Sequence, residues 1–250
     1  MINTTIVTTV LNGHRTIRDC IESVRDQGIT VEHILIDGGS TDGTLEIIEE
    51  YRPHLAKILT EKDKGIYDGM NKGLAFATGE IVGILNADDM YAHRDVLKKV
   101  ISCFDNPTVE SCYGDLIYVD AEDTARITRM WRAGHYNVRR FYWGWMPPHP
   151  TFFVRKKEYD KYGIFNLDLG SAADYELMLR FLVKYRISSV YIPDVLVKMR
   201  DGGRSNASLK NRLIANRKDR LAWKINGLDP YLWTLTLKPV SKIRQFLFQF

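Results

Sequence analysis

GEIVGILNADDMYAHRDVL, residues 79–97, decides how the chain is read. Ile81, Val82, Ile84 and Leu85 form a short apolar run of the kind that becomes a buried strand. Two carboxylates, Asp88 and Asp89, follow it directly. Adjacent like charges at the mouth of a core strand repel one another, and one pKa rises. Such a pair calls for a positive group. A divalent cation fits, because Mg2+ or Mn2+ takes one or two carboxylates together with phosphate oxygens and water. Capping the next helix would need only one Asp, so a cap does not account for both.

Upstream, Thr4–Leu11 is β-branched and apolar, a first strand, with a helix over Ile17–Asp26. Val31–Asp37 reads as a second strand that ends in the turn GGSTDG, before a helix from Thr44 to Tyr51. A short strand at Lys57–Thr60 precedes a helix over Gly65–Ala77, whose Met70, Leu74 and Ala77 share a face. Strands alternating with helices predict βαβ units, hence a Rossmann-like α/β fold with a mostly parallel sheet flanked by helices. Downstream the pattern loosens. Strands are expected at Cys112–Val119, Arg126–Trp131 and Val195–Met199, and a helix at Asp174–Tyr185. Tyr142–Phe153 is an aromatic, proline-rich loop, and helices over Ser208–Ile225 and Pro239–Phe250 follow.

A chain of 250 residues buries close to three quarters of its unfolded surface, so folding requires no disulfide or metal staple. Three cysteines without CxxC spacing argue for reduced thiols and against zinc. The N-terminus lacks a basic n-region and no run approaches 18 apolar residues, so neither a signal peptide nor a spanning helix is expected. A cytoplasmic location follows as the expectation. The net charge of +4 hides an asymmetry. Residues 198–250 hold twelve Lys and Arg against three acids, a net of +9, which leaves about −5 for the first 197.

Open α/β sheets bind ligands at the carboxyl ends of their strands. Thr8, Thr9 and Asn12 end the first strand, Asp37 the second, and Asp88 and Asp89 lie just past the fourth. Ser40 and Thr41 read as caps of the following helix, whereas Asp37 faces the crevice. There is no GxGxxG after the first strand and no GxxxxGK[ST], so a bound diphosphate is held by other means. Asp174 shares a helix face with Met178, Phe181, Leu182 and Tyr185, at the first turn. It suits a general base, and Ser171-x-x-Asp174 also suits a capping box. His149, stiffened between prolines, reads as a metal ligand or a diphosphate contact. Tyr142, Trp143 and Trp145 read as a platform for a sugar face or as core. Arg204, in RDGGRSN, suits a diphosphate contact, and Lys64 a nucleotide contact.

LIDGGSTDGT (35–44), GIYDGMNKGLAFATGEIVGILNADDMY (65–91) and SAADYELMLR (171–180) together resemble the inverting family 2 glycosyltransferases of GT-A fold. The resemblance runs from about Thr4 to Met90 and returns at His149–Arg180 and Val195–Ser205. It implies that Asp37 recognises the nucleotide base, that Asp88 and Asp89 hold a metal and the ribose, and that Asp174 is the catalytic base. Asn86 departs from the family, which often has Asp there. The resemblance implies a metal-dependent transferase that moves a sugar from a nucleotide-diphosphate donor, a UDP-sugar, to a glycan or lipid-linked acceptor in surface polysaccharide synthesis. On this reading residues 1–205 are the catalytic domain, with a nucleotide-binding half (1–110) and an acceptor half (111–205). Residues 206–250 are then a basic amphipathic helical extension.

Two rival readings differ in class. A sugar-phosphate nucleotidyltransferase would begin with a Gly-rich, Arg-containing loop, where TTVLNGHRTIRD offers only Gly13. A nucleic-acid binder would use the basic end, but the acidic front half opposes it, so no nucleic acid is expected. In the last helix Val240, Ile243, Phe246, Leu247 and Phe250 form a stripe beside Lys238, Lys242 and Arg244. That stripe suits docking on an anionic membrane, peripherally on its inner face, or packing as ordinary core.

Overall fold

The computed structural model describes residues 3–202 and 209–238. The expected alternation forms: β1 (Thr4–Val10), α1 (Ile17–Arg25), β2 (Glu32–Asp37), α2 (Thr44–Glu50), β3 (Lys57–Thr60), α3 (Ile66–Phe76) and β4 (Ile81–Ile84). β1, rich in Thr, Val and Ile, is buried along its whole length, as a strand covered on both faces must be. α3 lies tightly on it. A Cβ at Gly73 would stand 2.2 Å from Val7 Cγ1, so only glycine permits this approach. Met70, Leu74 and Ala77 supply the buried face of the helix and its C-cap.

Beyond β4 follow β5 (Asp89–Tyr91), α4 (Val96–Cys103), β6 (Ser111–Val119), β7 (Ile127–Trp131), α5 (Val138–Tyr142), β8 (Phe153–Arg155), α6 (Lys156–Tyr162), α7 (Ala173–Met178), β9 (Ser189–Arg200) and α8 (Leu209–Ile225). The sheet order is β3-β2-β1-β4-β8-β6-β9-β5, with β7 on β6. Pairing is parallel across β3, β2, β1 and β4, and again between β6 and β9. The pairs β4/β8, β8/β6, β6/β7 and β5/β9 are antiparallel. The parallel arrangement read from the sequence thus describes the first half, and the second half is mixed. β5 and β8, with three residues each, are too short for a period of two to show.

α7 runs into a π-helical turn over Leu179–Lys184. The wider turn rotates the face that a 3.6-residue period predicts. Met178, Phe181 and Leu182 are buried as expected, but Tyr185 is exposed and stacks on Tyr162, ring centroids 4.0 Å apart. α8 packs behind α7: Trp223 Nε1 donates to the Tyr175 hydroxyl (2.8 Å) and Asn226 Nδ2 to Glu176 Oε1 (3.0 Å). Ala222, Trp223 and Leu235 belong to the same core as the sheet. The expected helix Pro239–Phe250 lies outside the described residues.

Inside the parallel half, His33 of β2 is buried with Nε2 3.0 Å from Thr8 Oγ1. Burial pushes its pKa down to about 4, against about 6.5 in an unfolded chain. Between these values the unfolded state binds the extra proton, so stability falls as pH drops from about 6.5 through about 4. The loss amounts to about 3 kcal/mol. Urea unfolding at pH 7 and pH 4 checks this. His33→Gln should lose markedly less stability over the same interval, and an unchanged slope would show that other groups carry it.

Candidate functional site

The carboxyl ends of the parallel strands meet in register. Val10 pairs with Asp37 and Asp37 with Thr60, while Leu85 N donates to Val7 O just past β4. The loops after β1 and β2 are joined reciprocally. Asn12, in the left-handed region at φ 55°, donates its N–H to Ser40 Oγ (2.8 Å) and accepts from Thr41 N at Oδ1 (2.9 Å). Gly13 N donates to Thr44 Oγ1 and His14 N to Asp42. Ser40 and Thr41 are therefore not caps of α2, whose N-cap is Gly43. The Ser40 hydroxyl and the Thr41 backbone N–H instead tie the two loops together.

Asp37 is fully buried and accepts from Gly39 N (3.1 Å) and Ser40 N (3.1 Å), which closes the turn. Beside this turn lies Asp63, which no motif in the sequence marks. Its Oδ2 lies 2.6 Å from where a Cβ of Gly38 would sit, and 3.4 Å from one at Gly69. Thr9 Oγ1, also buried here, has no hydrogen-bond partner. Lys64 is exposed at the rim, its N–H donating to Asp68.

At the end of β4 the two acids separate in environment. Asp88 is half-buried, whereas Asp89, the first residue of β5, is fully buried. Asn86 Nδ2 donates to Asp89 Oδ2 at 3.3 Å. Burial, reinforced by the Asp88 charge, pushes Asp89 well above the usual carboxylate range, and Arg200 pulls against that shift. Arg200 is thus a protein-supplied cation behind the pair. It ends β9, is buried, donates to the Asp88 carbonyl oxygen (3.0 Å) and pairs with Asp19 of α1. A basic residue closing the last strand was its only signal in the sequence. Asp19 is half exposed, so the pair itself is worth little, but the buried guanidinium also holds the Asp88 peptide. Arg200→Gln should cost about 2 kcal/mol in denaturant unfolding, with Arg200→Lys recovering part; a loss within 0.5 kcal/mol, the usual surface range, would sink that role.

The residues at β4's end suit a hard cation. Asn86 Oδ1 and Asp89 Oδ1 are buried oxygens without hydrogen-bond partners, and the donors on offer are all oxygen, as Mg2+ and Mn2+ prefer. Among the described residues no three His, Cys, Asp or Glu cluster to enclose a metal. A cation held here would draw its remaining ligands from substrate and water.

Asp174 lies in the first turn of α7, whose N-cap is Ala172 without a side-chain cap, so the Ser171 capping box does not form. Its Oδ1 accepts from Tyr175 N (2.8 Å) and its Oδ2 lies 3.5 Å from His149 Nδ1. The Tyr67 phenol stands beside Asp174. Burial and the nearby Asp174 charge push that phenol well above its ordinary value. Three groups from α3, α7 and the turn His149–Thr151 therefore converge on one half-buried carboxylate. Thr151 fixes the turn through Gly114 of β6. His149, expected at a metal or a diphosphate, stands beside Asp174. Tyr67 was visible within GIYDG, but no spacing rule pointed to it.

The aromatic platform does not assemble. Gly144, at φ 76°, turns the chain and drops Trp145 into the core. There Tyr113 and Phe141 pack against its ring and its Nε1 donates to Ala133 O (2.9 Å). Tyr142 packs on Trp223 and Tyr231. Trp143 alone stays open, 56% exposed, with Trp233 5.9 Å away. Arg204 lies outside the described residues.

A family model described as Glycosyl transferase family 2 matches residues 5–163. Over 207 residues the chain is 29% identical to a PGL/p-HBAD biosynthesis glycosyltransferase of Mycobacterium bovis, covering 80% of this chain and 78% of that one. In fold it is similar to S. aureus TarS 1-349 in complex with UDP-GlcNAc, with TM-score 0.71 and 19% identity, over 98% of this chain and 71% of that one. The mannosyltransferase PcManGT of Pyrobaculum calidifontis, in complex with GDP-Man and Mn2+, matches with TM-score 0.65 and 18% identity, over 95% and 69%.

Proposed function

The chain belongs to glycosyl transferase family 2, and from that premise we propose that it moves a sugar from a UDP-sugar to an acceptor hydroxyl with inversion. The acceptor is a glycan or lipid-linked oligosaccharide of surface polysaccharide synthesis. The observation that carries this reading is the Asp174 carboxylate, half-buried beside His149, Tyr67 and the Tyr175 N–H. A half-buried carboxylate with a histidine at its side suits proton removal from an alcohol.

Asp174 Oδ2 takes the acceptor proton as the oxygen attacks the anomeric carbon, and the nucleoside diphosphate leaves from the opposite face. With one base and no covalent partner, a single displacement inverts the anomeric centre. His149 and Tyr67 keep the carboxylate aimed. Arg200 fixes the Asp88 peptide and so the direction of its side chain. Asp63, half-buried beside the turn that Asp37 closes, is the carboxylate a base would donate to, with Lys64 at the rim. A divalent cation held at Asp88, beside Asn86 and Asp89, would supply Lewis-acid stabilisation of the leaving diphosphate. Similarity to folds seen with UDP-GlcNAc and with GDP-Man and Mn2+ supports this reading.

A panel of nucleotide sugars, read for nucleoside diphosphate release and for the anomeric configuration of the product, tests the proposal. Retention of configuration would overturn the single displacement. Binding of none of the panel would overturn the donor class.

A further inference from the structure

α8 shows two opposite faces. Asp219, Ala222, Trp223 and Asn226 are buried, and Asp219 is paired with Lys238 at 2.7 Å. On the other side Arg217, Arg220, Leu221, Lys224 and Ile225 are exposed, at spacings of three and four that place them within one helical face. That face is neither a solvated polar surface nor a core stripe: it interleaves basic and branched apolar side chains. None of its three basic residues has an ion-pair partner among the described residues.

The chain leaving α8 continues the pattern. Tyr231, Leu232 and Trp233 are exposed in sequence, Leu232 at 89%. Trp233 lies 5.1 Å from Tyr231 and 5.9 Å from Trp143, ring to ring, so the aromatics form one patch. Between residues 216 and 238, Asp229 is the one exposed acid against the three basic residues of the face. Trp and Tyr prefer the headgroup level of a bilayer, and Lys and Arg prefer anionic lipid. A surface that offers both anionic lipid phosphates and an apolar headgroup boundary therefore suits the basic and the apolar side chains of this face together.

We propose that this face of α8, with the aromatic patch at residues 143 and 231–233, docks the protein on an anionic lipid surface. Leu232 and the Trp and Tyr rings enter the headgroup region while Arg217, Arg220 and Lys224 meet lipid phosphates. Through Trp223 and Tyr175 the docking helix is bonded to the residue next to Asp174, so the base is tied to the membrane-facing side. A lipid-linked acceptor would arrive from there.

The full chain is sedimented with phosphatidylcholine vesicles, and with vesicles carrying about one quarter phosphatidylglycerol, with no nucleotide present. It should pellet with the anionic vesicles at low salt and be released as salt rises. Changing Arg217, Arg220 and Lys224 together to Gln should lower the partition coefficient about 100-fold. Leu232→Ser with Trp233→Ser should lower it about 10-fold. Both variants should keep the parent unfolding midpoint and UDP binding. A full chain that stays in the supernatant overturns the proposal, as does vesicle binding that survives both sets of changes. A dimer in sedimentation velocity that Leu232→Ser with Trp233→Ser dissociates would assign the patch to a second copy and overturn it too. Because lipid binding is read without nucleotide, its failure leaves the transferase reading standing, and failure of sugar transfer leaves lipid binding measurable.

Discussion

Asp174→Asn should lower kcat at least about 100-fold while leaving the fold and UDP binding nearly intact. The argument turns on what the substitution keeps. Asparagine has the same shape, and its Oδ1 can still accept from the Tyr175 N–H that Asp174 Oδ1 accepts now. No helix cap is lost, since Ala172 occupies that position without a side-chain bond. What disappears is the capacity to take a proton and the anionic partner of His149. The measurement is kcat with a saturating donor, beside calorimetric UDP binding and the unfolding midpoint. Normal turnover would return Asp174 to a structural role. A fall in the unfolding midpoint matching the loss of rate would do the same.

The first half of the fold was legible because its signals are local. β1 to β4 each carry an apolar run closed by a turn, and the helices between them carry a 3.6-residue stripe. The candidate site was legible to the extent that strand ends announce it. Asp37 and Asp88 could be placed on one edge from the βαβ pattern alone. The remaining features depend on contacts between segments far apart in the chain. Arg200 meets the Asp88 carbonyl across 112 residues. Tyr67 and His149 reach Asp174 from segments that no pattern in the sequence joins. The fate of Trp145 hangs on the backbone turn at Gly144, and that of Tyr185 on one π-helical turn. Composition marks such aromatics as dense, and only the packing decides whether they face a ligand, the core or solvent.

Asp88→Asn should reduce transfer about 1000-fold or more, and EDTA should do the same to the parent enzyme until Mn2+ or Mg2+ is restored. Stabilising a leaving diphosphate with a metal contributes several kcal/mol, which is the size of that loss. Asp88 is half-buried and the more accessible of the pair, so its carboxylate is the one within reach of a substrate-bound cation. Asp89 is sealed behind it, bonded to Asn86, with one carboxyl oxygen left without a partner. Asp89→Asn should also impair transfer, through the oxygen set beside Asp88. Mn2+ titration followed by electron paramagnetic resonance, with UDP present, separates the two. A weaker Mn2+ affinity in Asp88→Asn than in Asp89→Asn assigns direct ligation to Asp88. Equal losses assign it to the pair. Full transfer by the EDTA-treated parent would remove the metal from the reaction, and the two acids would then need another cation. Arg200, already seated behind them, would be the group left to balance their charge.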